Sequence, residues 1–84
     1  MPETHRKVRR TYSFRAEVEE EEDGRWSAWI DALPGCAAWG YSQEEALQAL
    51  KDAAEAYVKD MVDAGERIPD KEQSLDSSVV AVTV

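Results

Sequence analysis

Few residues in this chain could do covalent or metal chemistry. Carboxylates are plentiful, and Glu17, Asp31 and an acid of a later helical stretch are the set that could gather around paired divalent ions. Two-metal chemistry needs carboxylates converging on ions about 4 Å apart. The alternation along the first two strand-like runs instead sets Glu17 opposite Trp29 and Asp31 opposite Arg15. An acid paired with arginine is a poor hard-cation ligand, and the helix acids point away from the sheet. These carboxylates read as charge pairs on a solvated face, and no metal site and no cofactor are expected. Cys36 is the single cysteine and His5 the single histidine. A Cys–His nucleophile would need the N-terminal arm to fold back onto a third strand, so Cys36 reads as a small buried core thiol. Ser13, Ser27 and Ser42 lack a glycine-elbow context, and Ser42 is committed to helix capping. Gly24, Gly35, Gly40 and Gly65 are each expected in turns, with no phosphate-cradling loop among them. No catalytic residue is assigned, and an enzyme is not expected.

What remains is binding chemistry. The acidic run Glu19 to Asp23 reads either as a soluble hairpin tip or as a lure that steers a basic partner. Trp26 falls on an apolar face. Trp29 falls on the outer face among Ser27, Glu17 and Asp31, and Trp39 joins it from a third strand. A large aromatic on a polar face suits an interface anchor; the alternative is packing beneath the basic arm or the last strand. The expected partner surface is therefore Glu17, Glu19, Glu20, Glu21 and Asp23 with Trp29 and Trp39.

The elements that must position these groups are legible from periodicity. Tyr12, Phe14, Ala16 and Val18 alternate with polar residues, as do Trp26, Ala28 and Ile30, which predicts two half-buried strands. A two-residue loop would mismatch their apolar faces. A three-residue loop, Glu22-Asp23-Gly24, pairs Ala16 with Ile30 and Val18 with Ala28, and also Arg15 with Asp31 and Glu21 with Arg25. Leu33-Pro34-Gly35 predicts a turn, followed by a short strand from Cys36 to Trp39. Ser42 with Glu45 three residues on has capping-box spacing. Leu47, Leu50, Ala54, Tyr57, Val58, Met61 and Val62 form the apolar stripe of the helix, and Gly65 stops it. Ser78 to Val84 is nearly continuous in β-branched residues and predicts a fourth strand, buried on both faces or paired with another chain.

The order β-β-β-α-β gives an α+β fold, a mainly antiparallel sheet with one long helix on one face. With 84 residues there is room for one domain, spanning 1–84, with residues 1–10 as a basic flexible arm. The net charge is −8, which argues against general nucleic-acid binding and for basic partners. A domain this small without a disulfide gains from association, so a homo-oligomer, with a dimer as the default, is expected, and Val80, Val82 and Val84 are the candidate dimer strand. A lone thiol and no export-type apolar segment predict a cytoplasmic protein.

Four motifs occur in fixed order: the acidic hairpin ending Asp23-Gly24; Leu33-Pro34-Gly35-Cys36; Gly40-Tyr41-Ser42-Gln43-Glu44-Glu45-Ala46-Leu47; and Gly65-Glu66-Arg67-Ile68-Pro69. Together, across about residues 12 to 69, they resemble the HicB-like antitoxin family. The resemblance implies a partial ribonuclease-H-like fold with the last strand parallel beside the first. It also implies a partner, a small basic HicA-type toxin that cleaves RNA with one histidine and is neutralised by covering its active site. Where the family has Gly-Asp-Thr, this chain has Gly40-Tyr41-Ser42, which keeps the cap and loses the aspartate. Too few residues follow Gly65 for the DNA-binding module of operator-binding members, so direct DNA binding is not expected. The competing readings are a solitary regulatory or scaffolding module and a ribonuclease-H-like metal nuclease.

Overall fold

A computed structural model of the chain describes residues 11–69 and 78–83. The expectations for the basic arm 1–10, including His5, and for Val84 lie outside the described residues. Five elements follow in order: β1 (Thr11–Glu20), β2 (Trp26–Trp29), β3 (Ala37–Gly40), α1 (Gln43–Asp63) and β4 (Ser78–Thr83). They form a four-stranded sheet of order β3-β2-β1-β4.

The first hairpin has the register that face-matching demands, with Glu17 opposite Trp29 and Val18 opposite Ala28. Its three-residue loop is closed by the Glu21 N–H donating to the Arg25 carbonyl (2.6 Å) and the Gly24 N–H donating to the Glu21 carbonyl (3.0 Å). Gly24 sits at φ +91°, the left-handed conformation such a loop requires. At the next corner the Cys36 N–H donates to the Leu33 carbonyl at 2.9 Å, with Pro34 and Gly35 as the central pair and Gly35 at φ +84°. That is the proline–glycine turn the sequence predicts.

One implication of the resemblance is corrected. β4 runs antiparallel to β1, from Ser78 beside Ala16 to Thr83 beside Thr11. The strand is also buried on one face only: Val80 and Val82 enter the core, whereas Val79 on the outer face is exposed. The alternation in β4 is masked in sequence because both parities are apolar.

α1 covers the other face of the sheet. Its buried line is Ala46, Leu50, Ala54 and Val58, at strict four-residue spacing. It meets Phe14 and Ala16 from β1, Ala28 from β2 and Val80 and Val82 from β4. Leu47, Tyr57 and Met61 flank this line half-buried, and the Tyr57 hydroxyl donates to the Pro34 carbonyl at 2.8 Å. Val62 departs from the expected stripe and lies 46% exposed. The line turns toward Ala46 because the helix start presses on Gly40. A Cβ built on Gly40 would stand 2.6 Å from the Ala46 nitrogen, a contact no side chain fits. Gly40 is thus needed for close approach, not for a turn as its sequence context suggests; its φ is not positive.

Both helix ends are capped. The Ser42 hydroxyl accepts from the Glu45 N–H (3.1 Å), and Glu45 Oε1 in return accepts from the Tyr41 N–H (2.6 Å), one residue earlier than the usual box. At the far end Gly65, at φ +74°, and Glu66 donate back to the Val62 and Met61 carbonyls, a Schellman closure. No helix among the described residues is long and apolar enough to cross a membrane.

Candidate partner-binding surface

With α1 on one face, the other face of the sheet is left open, and strand parity decides which side chains reach it. On β1 these are Arg15, Glu17 and Glu19; on β2, Ser27 and Trp29; on β3, Ala37 and Trp39, with Tyr41 just beyond. The pairings lay them in rows across the strands. Glu17, Trp29 and Ala37 form one, and Glu19, Ser27 and Trp39 the next.

The rows are bound into a network by side chains at the hairpin tip. Asp23 accepts from the backbone N–H of Arg25 (3.1 Å) and from its Nε (2.8 Å). The Arg25 guanidinium stands over the Trp39 ring, 5.3 Å from its centroid, within cation–π range. Trp39 in turn meets Tyr41 edge to face, with ring centroids 5.3 Å apart. Glu21 accepts from the Ser27 hydroxyl at 2.7 Å. A depression of about 480 Å³ lies at this tip, lined by Glu19 to Asp23 and Arg25. The Arg25 backbone N–H, ahead of its side chain, holds the Asp23 carboxyl below the usual carboxylate range.

Of the sequence-predicted residues, the structure brings Glu17, Glu19, Glu21, Asp23, Trp29 and Trp39 onto or beside the open face. Glu20 is not among them, because its parity directs it to the opposite side, across from Trp26. Trp29 is half-buried, whereas Trp39 is 52% and Tyr41 72% exposed. Two members were missed by sequence reasoning. Arg25 was expected to pair with Glu21 across the ladder but turns to Asp23 and Trp39. Tyr41 was absorbed into the helix-start motif, although it continues the odd-numbered parity of Ala37 and Trp39. Arg15 likewise binds Glu17 on its own strand in preference to Asp31. That bond, ahead of the Coulombic pull of Glu17 and the weaker one of Asp31, raises the Arg15 pKa. Val80 and Val82, of the candidate dimer strand, lie in the chain's own core.

No three His, Cys, Asp or Glu side chains among the described residues are placed to hold a metal ion. Cys36 is buried, and burial pushes its thiol pKa up, away from thiolate reactivity.

A one-helix α+β domain that leaves a sheet face open, with exposed aromatics set among carboxylates, has the build of a recognition module. Comparison with known proteins places it further. Residues 14–82 match the model of the HicB-like antitoxin of bacterial toxin-antitoxin systems, and the chain belongs to that family. It is 36% identical over 52 residues to a UPF0150 protein of Thermoplasma acidophilum, covering 62% of this chain and 75% of that one. To a UPF0150 protein of Archaeoglobus fulgidus it is 37% identical over 57 residues, covering 66% and 83%. Its fold is similar to that of the N-terminal domain of Burkholderia pseudomallei antitoxin HicB, with a TM-score of 0.66 at 16% identity, covering 86% and 96% of the two chains.

Proposed function

We propose that the chain is a protein-binding antitoxin module that neutralises a small basic HicA-type toxin by covering its RNA-cleaving site, and catalyses nothing itself. Family membership supports the antitoxin role. The observation that carries the mode of action is the exposed Trp39–Tyr41 pair, bordered by the carboxylates of the first hairpin. An aromatic anchor with an acidic surround fits a cationic protein surface, where the charges speed encounter and the ring holds the docked state. The RNA-binding surface of a ribonuclease is cationic of necessity, so a domain that binds it competes directly with phosphate.

The test is co-expression with a small basic, histidine-bearing protein encoded beside this chain. Relief of growth arrest and of mRNA cleavage, together with a stable complex of the two, supports the reading. A complex that leaves RNA cleavage untouched, or no complex at all, overturns it.

A further inference from the structure

The half-exposed Trp39 ring carries a guanidinium over its face, and that guanidinium belongs to the chain's own Arg25. It is loosely held there. Arg25 Nε and Nη2 both reach Asp23 Oδ2, each at 2.8 Å. Oδ1 accepts instead from the Arg25 backbone N–H at 3.1 Å, so the two-oxygen fork that makes arginine–carboxylate pairs strong is not formed. Both side chains stand in water, 50% and 53% exposed, where an ion pair contributes little. The depression at the hairpin tip is lined by five carboxylates, Glu19 to Asp23, and by this one cation. Among the residues lining it, four of the negative charges are not offset.

We propose that the Trp39 face is a binding site for an arginine side chain of a basic protein, and that Arg25 fills it only until that side chain arrives. The inference deepens the antitoxin reading of the open sheet face and rests on it for the partner. The chemistry of the occupant follows from what the site already holds. A guanidinium is flat and weakly hydrated and stacks on an indole, whereas a lysine ammonium is compact and strongly hydrated. Tyr41, edge to face with Trp39 and itself largely exposed, extends the aromatic platform. Arg25 does not lose its ion pairing in the exchange. It closes the loop opposite Glu21, whose N–H donates to the Arg25 carbonyl at 2.6 Å, and Asp23 lies two residues away. Swung off the ring, its guanidinium keeps an acid of its own hairpin, while the incoming one gains the ring and the surplus charge of the tip. The exchange gives up only the stacking of Arg25, an exposed cation–π contact equivalent to about two- to fivefold in a binding constant.

The experiment is NMR titration of the full chain with two peptides of equal charge, tetra-arginine and tetralysine. The tryptophan indole N–H signals are followed, with Trp39 assigned from Trp39→Phe. Tetra-arginine is expected to bind several-fold more tightly and to move the Trp39 signal. Arg25→Gln vacates the ring and strengthens tetra-arginine binding by about two- to fivefold more than tetralysine binding. Arg15→Gln removes the same charge from the same face without vacating the ring, and strengthens both peptides alike. Equal affinity of the parent for the two peptides overturns the proposal. So does weaker tetra-arginine binding by Arg25→Gln, which would make Arg25 a strut or a contact in its own right. Should glutamine unsettle the hairpin tip, Arg25→Lys keeps the charge, stacks less well and is expected to widen the preference for arginine. The peptides report on the site without the partner. Their failure overturns this inference and leaves toxin neutralisation to the co-expression test, whose failure in turn leaves the arginine preference standing.

Discussion

The Arg25 guanidinium lies over the Trp39 ring at 5.3 Å while its Nε holds Asp23 at 2.8 Å. One side chain thereby ties the hairpin tip to the far strand and keeps a large exposed ring oriented. Trp39 touches little of the core, so its removal tests binding apart from folding. Trp39→Ala is expected to leave the urea midpoint nearly unchanged and to weaken partner binding by at least about 2 kcal/mol, measured by calorimetry. Trp29→Ala is half-buried and is expected to lower both.

The carboxylates act at longer range. Raising ionic strength shortens the Debye length from about 30 Å at 0.01 M to about 8 Å at 0.15 M. The association rate with the basic partner is therefore expected to fall steeply over that interval in stopped-flow, with the dissociation rate little changed. Neutralising Glu19 and Glu21 together flattens that dependence; an unaltered salt slope would remove the hairpin from the encounter surface.

Gly40 and Gly24 are predicted to fail for different reasons. Gly40→Ala forces a methyl to 2.6 Å from the Ala46 nitrogen and about as near to Glu45. Backbone must move, at about 1–3 kcal/mol, typical of overpacking. At Gly24 the space is open but φ is +91°, so Gly24→Ala costs about 1–2 kcal/mol of conformational strain alone. Urea unfolding measures both, and Gly40→Ala alone is expected to loosen the α1–β3 contact, seen as faster amide exchange at the helix start.

Ser42→Ala removes the cap of α1 and is expected to cost about 1 kcal/mol. Glu45→Gln keeps an acceptor for the Tyr41 N–H and costs less than Glu45→Ala. Equal losses in thermal unfolding for the two Glu45 variants would show that this bond contributes nothing.

Asp23 gives the domain an acid limb. Its carboxyl is depressed by the Arg25 backbone N–H first and the Arg25 side chain after it. Its stabilisation is thus present above the ordinary carboxylate range and lost as pH falls through the lowered folded value. Asp23→Asn is expected to lower the urea midpoint at neutral pH, and to leave less further loss on acidification than the parent shows.

The sequence made most of the sheet legible because parity is a hard constraint. Of a two-residue and a three-residue loop, only the latter matches both apolar faces, and that loop, with its positive-φ glycine, is present. Turn chemistry at Pro34–Gly35 and capping at Ser42 are equally local, and equally legible. What escaped depended on contacts distant in sequence or on free rotamers. The direction of β4 follows from its pairing with β1, distant in sequence, which no local pattern signals. The centre of the helix stripe is set by the bare backbone of Gly40, and apolarity alone could not reveal it. On the open sheet face, parity placed Trp29 and Trp39 on the side where the structure has them. The long Arg25 side chain could reach several acids, and the choice of Asp23 with Trp39 is a matter of reach.

The ladder joining Thr11 to Thr83, whose hydroxyls meet at 2.9 Å, has a kinetic meaning. β1, β2 and β3 can zip together through short loops, whereas β1 must wait for a strand some sixty residues downstream. Until it arrives, Phe14 and Leu50 lack Val80 and Val82 over them, and β1 is itself a bare edge. Pairing across so large a sequence separation must meet its loop-closure entropy before it is rewarded, which slows folding relative to a sheet of hairpins alone. Conditions that slow that closure would expose the chain to proteolysis or clumping before any partner is met.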